Sequence, residues 1–269
     1  MDNLRTGNVL RVRHNLTRLC IVRVERVEIV SAFRRDPSVV LEKGPQIKAL
    51  ATRLRGRIIN VKTPSNAPPE LPRFVLQIER GVLQVGLNRF QLVVQPPKHI
   101  DGSYSESLAY AASLATPAFE ALYHNGHPTF SWSGVVVVLN YPATSASISS
   151  IDAIRPLLAR ITTLGWPADE LASFGLRVGR RHHGFYRNYG LAGYDIRQLE
   201  VKMPTGKRSV EVNLEGGDVS ESGVSVTVDV NSQPSKDSYG PLEDLQQVLG
   251  EHAAAFGSMI PDLNLRGLL

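Results

Sequence analysis

Apolar and polar residues alternate along Cys20–Val30, CIVRVERVEIV, with Val22, Val24, Val27 and Ile29 set against Arg23, Glu25 and Glu28. Period two predicts a strand, and a one-residue slip of phase near Arg26 is what a bulge would leave. After an Arg34-Arg35-Asp36-Pro37 turn, Ile47, Leu50, Ala51 and Leu54 recur at helical spacing, and Ile58–Lys62 returns to a short strand. Residues 63–72, TPSNAPPELP, are predicted as a loop, because their four prolines remove backbone donors. Arg73–Glu79 and Val82–Val94 alternate again around a tight Arg80-Gly81 turn, and Gly86 with the Leu87-Asn88-Arg89 step divides the second run into two strands. Ser105–His124 then carries Leu108, Ala111, Ala112, Ala115, Phe119 and Leu122 at helical spacing, with Pro117 predicting a kink or a restart.

The remainder repeats this outline. Ser131–Leu139 reads as a valine-rich strand. Ser149-Ser150-Ile151-Asp152 can cap a helix through Ile154, Leu157, Leu158 and Ile161, with Pro156 in its first turns. Ser173–Val178, Asp195–Met203, Arg208–Leu214 and Gly223–Val230 are strand candidates, and Pro241–Met259 is a helix with Leu242, Leu245, Val248, Leu249 and Phe256 on one side. The expected class is α+β: antiparallel sheet with helices packed on one face, built as two topologically similar halves or as one continuous curved sheet. Residues 1–126 and 127–269 are the expected halves, with the boundary near Gly126–Thr129, where turn residues concentrate. No residue-level repeat relates them.

Composition changes the picture mainly through charge. Residues 1–60 hold 13 Lys/Arg against 5 Asp/Glu, and residues 211–269 hold 2 against 10. Opposite fields at the two ends can hold one terminus to the other, steer copies head-to-tail, or attract phosphates to the basic end. The single cysteine, Cys20, excludes an intramolecular disulfide and lies in an apolar run, so it reads as a buried thiol rather than a nucleophile. The longest apolar run, Val135–Leu139, is strand-sized, and the first residues lack a secretory core. A cytoplasmic protein without membrane contact is expected.

Familiar chemistry is not signalled. Gly179, Gly184, Gly190 and Gly193 are too loosely spaced for a phosphate loop, and there is no Gly-x-Ser-x-Gly elbow. His124 with His127, and His182 with His183, lack the partners of a zinc site. Glu243 and Asp244 suit the first turn of a helix. No catalytic residue, metal ligand or cofactor is therefore nominated. The unusual stretch is 177–190, RVGRRHHGFYRNYG, expected as a loop, which nominates Arg177, Arg180, Arg181, Tyr186, Arg187 and Tyr189 for binding. Arginine interleaved with aromatics can anchor a protein interface or grip phosphates and stack bases. A hairpin tip with solvated arginines and tucked aromatics has the same composition and ranks ahead of both, with nucleic acid last. Glu25 and Glu28, interleaved among Arg18, Arg23 and Arg26, also count against nucleic acid.

SFGLRVGRRHHGFYRNYGLAGYDIRQLE, SVTVDVNSQP and LGEHAAAFGSMIPDL, together with VLQVGLNRFQL earlier, resemble the corresponding blocks of a sporadically distributed, uncharacterised family of bacterial proteins. That family's tryptophan-rich middle is not matched. The resemblance supplies no catalytic residues, and its patchy distribution implies an accessory role, as in phage defence or genetic conflict. The expected function is a non-enzymatic protein-interaction subunit of a bacterial multi-protein assembly, its partner being another protein or a further copy of itself. The alternative is a nucleic-acid-binding module using 177–190. An enzyme or ligand sensor would need a lined pocket between sheet and helices.

Overall fold

β1, Arg23–Phe33, owes its position to the slip of phase in its sequence. The register shifts between Val24 and Arg26, so that Val24 and Val27 both face the core despite their odd spacing. The structure is a computed structural model, and it describes residues 22–59, 63–64, 66–123, 130–143, 149–161, 175–197, 201–202, 211–212, 218–232 and 241–262. Cys20, Arg11, Arg13, Arg18, His124, His127 and the Gly126–Thr129 boundary lie outside the described residues.

The chain continues through α1 (Ser38–Leu41), α2 (Gly44–Arg53), β2 (Arg57–Ile59), β3 (Phe74–Ile78), β4 (Gly81–Val85), β5 (Arg89–Val94) and α3 (Tyr104–Tyr123). Next come β6 (Phe130–Pro142), α4 (Ser150–Ile161), β7 (Gly175–His182), β8 (Phe185–Arg197), β9 (Val201–Lys202), β10 (Glu211–Val212), β11 (Val219–Ser232) and α5 (Pro241–Asp262). Among the described residues, nine strands form one antiparallel sheet in the order β2-β3-β4-β5-β1-β6-β11-β8-β7, with β9 and β10 paired separately. The fold is α+β, with helices on one face of the antiparallel sheet. β1 and β6 pair at its centre, and each is flanked by the last strand of its own run, β5 and β11. Read outward from the centre, the two runs follow the same path, apart from the β9–β10 excursion.

Register decides what each face carries. Val27, Val94, Val137 and Val228 fall in one row, and Ile29, Leu92, Val135 and Val230 in the next, all buried beneath the helices. Ala111, Ala115 and Ala118 let α3 approach the sheet closely, and Phe119 packs on Phe90 with ring centres 4.2 Å apart. α5 presents Leu245, Val248, His252 and Ala255 inward, so its buried stripe includes a histidine. Ser149 caps α4, accepting from the Asp152 amide at 3.1 Å. At Pro117 the helix does not restart, for α3 continues without a break through it and buries the ring. A helix held on both sides by core contacts can forgo one backbone hydrogen bond.

Candidate binding surface

The basic and aromatic run of 177–190 is a β-hairpin, as the first-ranked reading of its composition has it, and its strands extend well beyond the tip. His183 (φ 46°) and Gly184 (φ 85°) reverse the chain in two residues, the geometry of a type I′ turn, and His182 pairs with Phe185 across it. Asn-Gly is the favoured pair for this turn, so His183→Asn is expected to stabilise the fold by about 0.5 kcal/mol and His183→Val to destabilise it by about 1 kcal/mol. Thermal unfolding of the two variants measures the difference.

Pairing then sorts the six candidates. Arg181 stands opposite Tyr186, Arg180 opposite Arg187, and Val178 opposite Tyr189. Residues directly opposite share a face. Arg177, Arg181 and Tyr186 therefore occupy the face away from the helices, while Arg180, Arg187 and Tyr189 are on the helix side. The structure does not bring all six together.

Arg187 and Tyr189 of the inward set fasten α5 to the hairpin. Arg187 is 3% exposed, donating from Nε to Glu251 Oε1 at 2.6 Å and from Nη1 to Ser258 Oγ at 3.0 Å. His182 Nδ1 lies 2.9 Å from the same carboxylate oxygen. Burial alone would raise the Glu251 carboxyl, but hydrogen bonds from Arg187 and His182 outweigh it and hold the group below its usual range. The Tyr189 hydroxyl donates to the Ala255 carbonyl at 3.2 Å.

The outward set remains accessible. The Arg181 guanidinium sits 5.1 Å from the centre of the Tyr186 ring, a cation–π contact. Arg177, its side chain 75% exposed, reaches Asp229 Oδ2 at 3.5 Å, a weak tether. Asn188 Nδ2 donates to that oxygen at 3.1 Å, and Asn231 Nδ2 to the other at 3.2 Å. Beside them Gly175, Gly190, Ala192, Ser225 and Thr227 leave a shallow trough of about 260 Å³ across three strands. Charge on this face is mixed. Glu28 accepts from Gln91 at 2.7 Å with Arg89 at 3.9 Å, and Glu221 pairs with Arg23 while accepting from Tyr194 at 2.8 Å. Burial, reinforced by Glu221, pushes the Tyr194 hydroxyl upward. The Arg23–Glu221 pair joins the basic first stretch of the chain to its acidic last one.

Buried polar groups lie on the helix side, across the sheet from the trough. His252 is fully buried; its Nε2 donates to the Val228 carbonyl at 3.0 Å, and its Nδ1 accepts from the Tyr104 hydroxyl. Burial pushes this imidazole down to about 4, against backbone acceptors that oppose the shift. Tyr104 also stacks on Phe256, ring centres 3.7 Å apart, which ties α3 to α5. Ser31 and Ser133 share a hydrogen bond of 2.7 Å, and Ser232 donates to Asp244 Oδ2 at 3.0 Å. Burial raises the Asp244 carboxyl, with Ser232 and Ser133 opposing. The His252 and Ser232 contacts fasten α5 to the sheet, and the serine pair joins β1 to β6.

Among the described residues, no three of His, Cys, Asp and Glu stand where they could hold one metal ion. No helix among them is long and apolar enough to cross a membrane. Asn188, Glu251 and His182 were not nominated from sequence; strand alternation through 185–191 is the signal that would have separated the inward from the outward side chains. No family model matches the chain, and no curated protein matches it.

Proposed function

We propose that the chain is a non-enzymatic protein-interaction subunit that docks a partner through the open sheet face at the β7–β8 hairpin. The observation that carries this reading is the division of the hairpin. Arg187 and Tyr189 are committed to α5, whereas Arg177, Arg181 and Tyr186 stand accessible beside a shallow trough. Arginine and tyrosine with a little apolar surface are the usual anchors of protein interfaces.

Glu28 on β1 and Glu221 and Asp229 on β11 share this face with the arginines, so a phosphate backbone crossing the sheet would meet negative charge that a segment confined to the β7 edge would not cross. Protein is favoured over nucleic acid for that reason. The bacterial multi-protein assembly, and phage defence as its setting, rest on the resemblance of the quoted blocks.

The test is affinity purification of the tagged chain from its native host with and without nuclease. A stoichiometric protein that survives nuclease and is lost on Tyr186→Glu is the expected result. Recovery of nucleic acid alone, or of no partner, would overturn it.

A further inference from the structure

Among the described residues β7 is the outermost strand on its side of the sheet, eight residues long, whereas the opposite edge, β2, has three. An outer strand offers unpaired backbone groups, and the turn shows which ones. A two-residue turn closes on a hydrogen-bonded pair, here His182 with Phe185. Alternation then directs the amides and carbonyls of Leu176, Val178, Arg180 and His182 toward β8, and those of Gly175, Arg177, Gly179 and Arg181 outward.

The outward residues read Gly, Arg, Gly, Arg, with all four side-chain positions on the open face. A strand laid along them would find space opposite each glycine and positive charge opposite each arginine. Its alternate side chains would lie on the other face, against Leu176 and Val178, the latter 40% exposed. A second copy is a poor occupant, because antiparallel pairing of two β7 strands about Gly179 would set Arg177 against Arg181.

We infer that β7 is a strand-addition site for an extended partner segment of alternating acidic and apolar residues. Backbone hydrogen bonds would supply affinity, and Arg177 and Arg181 would select for carboxylates on one face of the added strand. This rests on the interaction reading above and names the chemistry of the partner.

The full-length chain would be titrated into a labelled ten-residue peptide of alternating Glu and Val, a Lys/Val counterpart, and a Glu/Val peptide methylated at alternate amides. Fluorescence anisotropy should show binding of the first alone. Arg177→Pro, which removes one outward donor and one charge while leaving the β8 ladder intact, should weaken it at least about tenfold. The double substitution Arg177→Glu/Arg181→Glu keeps the backbone and should shift preference to the Lys/Val peptide. Equal binding of the charge-reversed peptides, or undiminished binding of the methylated one, would overturn strand addition. A partner recovered from cells that survives Arg177→Pro, with no peptide binding, would overturn it while leaving the interaction reading in place. Loss of both would remove both.

Discussion

Acidification from neutrality to about pH 4 is expected to cost the fold about 3 kcal/mol through His252 alone. The imidazole ordinarily titrates near 6.5, and complete burial pushes it down to about 4. Between those values the unfolded chain binds a proton that the native state refuses, so stability falls as pH falls. The groups around it set the limits of this effect. The Val228 carbonyl holds the proton of a neutral ring at Nε2, which leaves Nδ1 to accept from the Tyr104 hydroxyl. Asp244, raised by burial on the same helix, works in the opposite direction and offsets part of the loss. Glu251 and Asp36, both held low, begin to lose their contributions as pH enters the ordinary carboxylate range and go on losing them below it. Urea unfolding at a series of pH values should show the slope above that range. His252→Leu should flatten it, at a lower stability throughout. A wild-type curve level between 6.5 and about 4 would contradict the assignment.

Asp36→Ala is expected to destabilise the protein by about 3–5 kcal/mol, and Lys43→Met by about 1–2 kcal/mol. The asymmetry follows from burial. Lys43 is only 6% exposed, its ammonium 2.9 Å from Asp36 Oδ2 and 4.0 Å from the centre of the Tyr123 ring. Without the carboxylate, a buried cation would be left against an aromatic face. Removing the lysine is milder, because Asp36 Oδ1 still accepts from the Ser38 amide at 3.0 Å and the Ser38 hydroxyl at 2.6 Å. Burial tends to raise the Asp36 carboxyl, and the Ser38 and Lys43 hydrogen bonds outweigh it. Chemical denaturation of both variants at neutral pH gives the comparison. Equal losses would show that the ion pair matters as a pair and not as a buried charge.

The features legible in the sequence were local ones. The slip at Arg26 became the β1 bulge, the Leu87-Asn88-Arg89 step separated β4 from β5, and Ser149 capped its helix. Each is decided by neighbours within a few residues. β8 was missed over most of its length, with only the end near Asp195 foreseen. Its inward row includes Arg187, which is tolerated there because Glu251, 64 positions away, neutralises it. Gly190 and Gly193 further hide the alternation. Pro117 suggested a restart for a related reason, since the packing that holds α3 together across it comes from elsewhere in the chain. The candidate residues were chosen by composition, which cannot tell one face of a strand from the other. That distinction needs the register with β7.

Thermal unfolding of three single variants, Arg177→Ala, Arg181→Ala and Arg187→Ala, tests the division of the hairpin most directly. Arg187→Ala leaves Glu251 without its buried partner and should cost about 3 kcal/mol, several degrees in midpoint. Arg177→Ala and Arg181→Ala should stay within about 0.5 kcal/mol of wild type, as exposed arginines do. A loss at Arg177 or Arg181 as large as that at Arg187, or an unchanged midpoint for Arg187→Ala, would contradict the assignment of one face to the fold and the other to a partner.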